Sequence, residues 1–212
     1  MNEFAQWLQQ RLLQPLPGYE AQQKMMSMRR PRVTEAPPDA RESGVLIVLY
    51  PQQDEIYTVL IERTKDGGVH SGQIALPGGR READDIDIIH TALREANEEV
   101  ALDDNIVKVL GQLTELYIPV SNFLVQPIIA FANEKPTLVA SDAEVAQILH
   151  CPLQRLFANK QEVDVIASSS VTFKVHTMAY VPEDGLIMWG ATAMIFSELE
   201  HLWNEYKLEI DF

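Results

Sequence analysis

The clearest pattern along the chain is an unbroken apolar run, Gly44-Val45-Leu46-Ile47-Val48-Leu49-Tyr50. After the polar break Gln52-Gln53-Asp54, a second apolar run spans residues 56 to 61. Runs of this length and β-branched content predict two strands joined as a hairpin in a central sheet. Residues 87 to 100 follow a different period, with Ala92, Leu93, Ala96 and Val100 three or four apart, which predicts a helix with one apolar side. Residues 106 to 118 and 123 to 131 are rich in Val, Ile, Leu and aromatic side chains and predict strands broken at Pro119 and Pro127. Further strands are predicted at 145 to 149 and 171 to 180. A last helix follows from about residue 191 to 206, begun by Gly190 or Thr192. The order strands, helix, strands, helix predicts an α+β fold with a mixed sheet covered by helices.

Ahead of this domain, Phe4, Trp7, Leu8, Arg11 and Leu12 fall at helical spacings. They predict an amphipathic helix over residues 3 to 14 whose aromatic side packs on the domain, a homodimer contact being the alternative. Pro15, Pro17, Gly18, Pro31, Pro37 and Pro38 then oppose regular structure and mark an ordered wrap or a linker. We therefore divide the chain into a helix and Pro-rich arm, residues 1–43, and one domain, residues 44–212, long enough to bury its own core.

Charge and cysteine content narrow the chemistry. The formal net charge of -14 repels polyanions, so no nucleic-acid partner is expected. Cys151 is the only cysteine, which rules out an intrachain disulfide and a thiolate metal cluster. With no secretory signal and no apolar run of roughly 18 residues, no membrane partner is expected and a cytoplasmic location is. A small phosphorylated substrate fits an acidic chain if metal ions supply the positive charge.

The segment Arg94-Glu95-Ala96-Asn97-Glu98-Glu99 meets that condition. On a helix Glu95, Glu98 and Glu99 are neighbours and project to one side, where like charges oppose one another and the C-terminal end of the helix dipole opposes Glu98 and Glu99. A hard cation such as Mg²⁺ or Mn²⁺ reverses those signs, since a few carboxylates suffice when phosphate and water complete its shell. Arg94 lies one turn before Glu98 and is placed to orient it. Upstream, residues 72 to 79 form a short apolar stretch ending in Pro77-Gly78-Gly79. Without side chains, Gly78 and Gly79 let backbone groups approach an ion or a phosphate closely.

Residues 79 to 102 resemble the Nudix box. Gly79 stands at its first Gly, Arg94-Glu95 at its Arg-Glu, Glu98-Glu99 at its paired glutamates and Leu102 at its final apolar site. Three positions depart from the pattern. Asp85 stands where Glu is usual, eight residues rather than seven separate it from Arg94, and Ala101 replaces the Gly that commonly ends the helix in a left-handed conformation. Over most of residues 44 to 206 the chain is similar to the coenzyme A pyrophosphatase branch of that family. The match includes Val59-Leu60-Ile61-Glu62-Arg63-Thr64, His70, Gly72-Gln73-Ile74-Ala75-Leu76-Pro77-Gly78-Gly79, Glu144-Val145, Pro152-Leu153 and Trp189-Gly190-Ala191-Thr192-Ala193. The branch's second upstream Arg falls at Gly68 here, and Lys65, Arg80 or Arg81 is the candidate replacement for its phosphate contact.

The resemblance implies a Nudix-type mixed β-sheet sandwiched between helices and Mg²⁺ or Mn²⁺ held by Glu95, Glu98, Glu99 and the Gly79 carbonyl. It also implies hydrolysis of the diphosphate of coenzyme A to 3′,5′-ADP and 4′-phosphopantetheine. Glu95 and Glu144 are the two candidate general bases, assisted by Arg94. Arg63, His70, Gly78 and Arg80 are the candidate substrate contacts, and Trp189 and Phe173 are candidates for stacking on adenine or for the core. Alternative substrates are ADP-ribose, a dinucleoside polyphosphate or a nucleoside triphosphate, and a different class of outcome is a non-catalytic binding module with the same fold.

Overall fold

A computed structural model of the chain describes residues 2–27, 35–65, 70–168 and 172–210, with backbone alone at 167–168 and 172–173. The hairpin signal gives β1 (Arg41–Gln52) and β2 (Glu55–Arg63), antiparallel from Leu49↔Thr58 to Gln52↔Glu55. Gln53 and Asp54 both take positive φ, 51° and 64°, the backbone twist that a two-residue turn between twisted strands requires. Short strands β3 (Ile74–Ala75) and β4 (Gly78–Arg80) follow, then α3 (Ile88–Val100), numbered after the N-terminal α1 (Glu3–Arg11) and α2 (Tyr19–Gln22). The chain continues through β5 (Val107–Gln112), β6 (Leu116–Ile118), β7 (Phe123–Ala132), β8 (Val145–Pro152), α4 (Leu153–Ala158), β9 (Lys160–Ser168), β10 (Thr172–Tyr180) and α5 (Gly190–Ile210).

The main sheet runs β3-β2-β1-β7-β5, with β4 on β1, β6 on β7 and β8 on β2. β1 and β7 pair in parallel from Arg41↔Phe123 to Leu49↔Phe131 while the other pairs are antiparallel, so the sheet is mixed. Alternate residues of β1 serve two cores, as the pleat dictates. Leu46, Val48 and Tyr50 cluster with Ala92, Ala96 and Val100 of α3, whereas Ile47 and Leu49 cluster with Phe4 and Leu8 of α1 and Phe196, Leu199 and Trp203 of α5. The sheet therefore lies between α3 on one face and α1 and α5 on the other. No helix among the described residues is long and apolar enough to cross a membrane.

Three features differ from the sequence pattern. Pro127 does not break β7, because residues 113 to 115, the gap between β5 and β6, lie across from it and the Leu113 N–H bonds its carbonyl at 3.0 Å. Residues 160 to 168 form β9, paired with β10 in a separate two-stranded sheet. Its exposed, polar-rich sequence gives little apolar signal. Within the arm, residues 19 to 25 form regular structure, α2 and a 3₁₀ turn at Gln23–Met25, which buries Ala21, Gln22 and Met25.

A buried carboxylate on α5 fixes that arm. Glu198 is fully buried and accepts from the Gly18 N–H at 3.0 Å, the Gln22 amide at 3.1 Å and the Thr114 hydroxyl at 2.7 Å. All of these donors are neutral, and they come from the arm and from the loop between β5 and β6. Glu198→Ala strands the donors of buried Gly18 and half-buried Thr114, and we expect it to lower stability by about 3 kcal/mol in urea unfolding, with the arm becoming protease-sensitive first.

Candidate active site

Helix α3 is set by its ends and by a buried ion pair. Asp87 caps its start by accepting the His90 N–H at 2.8 Å. At its other end Ala101 takes the left-handed conformation, φ 53° and ψ 36°, a backbone region that the missing Gly would occupy with less strain. The Asn97 side-chain amide supports this turn by bonding the Leu102 carbonyl at 2.9 Å.

Asp85 is buried beneath the helix. Its carboxylate accepts from Arg94 Nε at 3.0 Å and Nη2 at 3.1 Å, from the Thr91 hydroxyl at 2.9 Å and from the Glu82 N–H at 2.9 Å, and it contacts His90 Nδ1 at 2.9 Å. The Arg94 guanidinium holds this carboxyl well below the usual carboxylate range, and Asp85 in turn raises Arg94 above its ordinary value.

From that anchor the same guanidinium reaches Glu95 at 3.0 Å, Glu98 at 3.1 Å and the Arg80 carbonyl at 3.2 Å. Arg94 thus locks α3, two of the three glutamates and the end of β4 together. The β4 backbone lies against the helix because Gly79 has no side chain, and a Cβ there would overlap the Glu95 carboxylate. At Gly78 a Cβ would come within 2.6 Å of Val45 Cα, and its N–H donates to Glu99 Oε2 at 2.9 Å.

The three glutamates do not share one environment. The Glu98 side chain is 57% exposed, whereas Glu99 is 1% exposed, turned inward between β4 and β2, where Arg63 Nη1 meets Oε1 at 3.3 Å. This corrects the expectation that all three project to one side. The inner carboxylate is bound from the sheet, a contact that helical spacing does not encode. Burial raises Glu99 to about 7, opposed by the Gly78 N–H and Arg63 and reinforced by the charges of Glu144 and Glu95. Burial also raises Glu95, against the pull of Arg94 and with the push of Glu98 and Glu144. Glu144 lies on a loop tied to the end of α3, the Ser141 N–H donating to the Glu99 carbonyl at 2.8 Å and the Glu144 N–H to the Ser141 carbonyl at 3.1 Å.

The remaining predicted contacts are distributed around this point. His70 lies in the turn before β3 with Nδ1 3.2 Å from the Gln73 side-chain oxygen. Arg80 is exposed at the end of β4, Arg81 pairs with Glu42 at 2.7 Å, and Trp189 is half-buried before α5. Gly68 and the Phe173 side chain lie outside the described residues. Sequence reasoning missed Asp85 as the anchor of Arg94, although its place in the acidic loop before the helix was a visible signal.

Among the described residues, no three His, Cys, Asp or Glu side chains close into a ready-made metal cage. A Mg²⁺ site on one or two carboxylates, completed by water and phosphate, does not require one. Glu95 and Glu99 fit that description. They are adjacent carboxylates held in place by neighbouring donors, with a shared deficit of positive charge.

That deficit has a pH signature. Because Glu99 is raised above its unfolded value, its favourable contribution is fully present below about pH 4.5 and is lost as pH rises through about 7. In EDTA the melting temperature should therefore fall between pH 5 and pH 8. Added Mg²⁺ should restore more of it at pH 8, where the carboxylate is ionised, than at pH 5.5, as thermal melts in the two buffers would read.

Comparisons with known proteins give the family. The NUDIX domain pattern matches residues 40–169. The chain is similar to a protein of Yersinia pestis named uncharacterized Nudix hydrolase NudL, with 34% identity over 161 residues, 75% of this chain and 78% of that protein. A protein of the same name from Yersinia pseudotuberculosis matches at the same identity and coverage. Among solved structures, the Nudix hydrolase RenU of M. smegmatis superposes with a TM-score of 0.54 at 15% identity, over 87% of this chain and 94% of that one, a likeness of fold. The matched segment contains the whole arrangement from β1 through Glu144, and the chain belongs to the Nudix hydrolase family.

Proposed function

We propose that the protein is a Mg²⁺- or Mn²⁺-dependent pyrophosphohydrolase that cleaves the diphosphate of coenzyme A or its thioesters to 3′,5′-ADP and 4′-phosphopantetheine or its derivative. The observation that supports this reading best is the meeting of two sequence segments at one carboxylate. Glu99 of α3 is contacted by Gly78 and by Arg63, and these belong to the upstream segment that resembles the coenzyme A pyrophosphatase branch.

A divalent ion on Glu95, Glu98, Glu99 and the Gly79 carbonyl supplies positive charge against the diphosphate and makes an attacking water more acidic. The chain's own residues do the rest. Arg94 holds Glu95 and Glu98 in place from its anchor on Asp85. Glu144 accepts the proton from water. We assign it this role over Glu95 because Glu95 is committed elsewhere, its Oε1 paired with an Arg94 nitrogen at 3.0 Å and its carboxylate among those that would hold the ion. Arg63, His70 and Arg80 bind phosphate oxygens, Arg63 with the part of its guanidinium that does not face Glu99, while Gly78, its N–H taken by Glu99 Oε2, serves the site through that carboxylate.

The substrate is tested with coenzyme A, an acyl thioester of it, ADP-ribose, diadenosine tetraphosphate and nucleoside triphosphates, each with Mg²⁺ and with Mn²⁺, products being identified by mass. We expect 3′,5′-ADP from the first two as the main activity. Preferred cleavage of ADP-ribose or of a dinucleoside polyphosphate would replace coenzyme A as the substrate. Glu98→Gln should lower kcat by at least on the order of 100-fold at unchanged melting temperature, since the side chain is exposed. Glu99→Gln should lower kcat similarly and should flatten the fall in melting temperature between pH 5 and pH 8 in EDTA, because the buried group that ionises is gone.

A further inference from the structure

The loop that carries Glu144 is tied at both ends. At its start the Ser141 N–H donates to the Glu99 carbonyl at 2.8 Å and the Val139 N–H to the Val100 carbonyl at 3.0 Å, which fixes it to the last turn of α3. Within it, the Glu144 and Val145 N–H groups bond back to the Ser141 carbonyl at 3.1 and 2.9 Å, a tight turn with Glu144 near its end. At its far side the partner is Thr64, just past β2. The Thr64 N–H donates to the Glu144 carbonyl at 3.0 Å and the Thr64 hydroxyl to the Ala143 carbonyl at 3.1 Å.

The strand pairing shows why such a tie is needed. β2 and β8 run in register up to Glu62↔Gln147, and then Arg63 pairs with Val145, so one extra β8 residue is accommodated where the ladder ends. A bulge bends its strand and re-aims the neighbouring side chain. Past that irregularity the regular ladder no longer sets the direction of Glu144. Two consecutive carbonyls, those of Ala143 and Glu144, are instead held by the two donors of one residue. From there the Glu144 charge acts on both Glu95 and Glu99.

We infer that Thr64 is a positioning residue for Glu144, its hydroxyl and N–H clamping the two carbonyls that set the direction of the carboxylate. The inference rests on the role given to Glu144 above. Because the adjacent Arg63 contacts Glu99, the end of β2 serves two carboxylates at once: Arg63 the inner one of α3, and Thr64 the one that approaches from the loop. The hydroxyl bond is exposed, so its loss acts on the direction of the loop more than on the stability of the fold.

The test uses the full chain and whichever diphosphate substrate it cleaves best. Thr64→Val should lower kcat about fivefold to tenfold, the size expected for losing one positioning hydrogen bond, with KM changed less than twofold and the melting temperature held. Thr64→Ser, which keeps the donor, should retain activity within about twofold. In a Glu144→Gln background Thr64→Val should have no further effect, because a clamp has nothing to aim once the carboxylate is gone. An unchanged kcat in Thr64→Val, failure of Ser to rescue, or an undiminished effect in the Glu144→Gln background would overturn the inference while leaving the hydrolase reading intact. Full activity of Glu144→Gln itself, or no cleavage of any diphosphate by the unaltered chain, would remove the reading and the inference with it.

Discussion

The ion pair between Asp85 and Arg94 is the constraint on which the site's geometry depends. Asp85 is a buried carboxylate surrounded by donors, and Arg94 has no other anion so fully desolvated. A guanidinium presents several N–H groups in a rigid plane, so committing Nε and one Nη to Asp85 fixes where the remaining donors point. Those donors reach Glu95, Glu98 and the backbone of Arg80. The rotation of α3, the end of β4 and two acidic side chains are in this way referred to a single buried charge pair. Breaking one partner of such a pair leaves an uncompensated buried charge.

Around that anchor the protein maintains an unfavourable arrangement. Carboxylates from α3 and from the loop before β8 approach one another, and burial pushes Glu99 towards neutrality. The glycines of β4 make the approach tighter, because Gly79 lets backbone lie directly on the Glu95 carboxylate. Only two side-chain cations, Arg94 and Arg63, touch the three helix carboxylates among the described residues. The fold thus holds a site that is short of positive charge and whose rigidity comes from elsewhere, from the two cores on either side of the sheet.

Much of this was legible in the sequence. The hairpin, the carboxylate helix and the final helix follow from periodicity and from break signals such as Gln52-Gln53-Asp54 and Gly190. The spacing from Gly79 to Glu99 carries the site because strand, loop and helix are consecutive there. Where the contacts are long-range, the sequence was silent. Arg63 meeting Glu99 depends on β2 and β4 lying near one another in the sheet. Glu198 reads as an ordinary acidic residue on a helix until the arm closes over it. The passage of β7 through Pro127 depends on a gap in a different strand, and β9 is stabilised by its partner β10 more than by its own composition.

The arm and α5 also bear on what counts as the smallest unit of this protein. The segment shared with the family, residues 40–169, contains Glu95, Glu98, Glu99 and Glu144 but neither α1, α2 nor α5. One face of the sheet, including Ile47, Leu49, Ile129 and Phe131, is covered in large part by those elements. A chain trimmed to its recognisable domain would keep every glutamate of the site and lose that roof, leaving a broad oily sheet surface open to water and to other chains. In this protein the stretch that can be inherited as a motif is shorter than the stretch that can stand alone as a folded body.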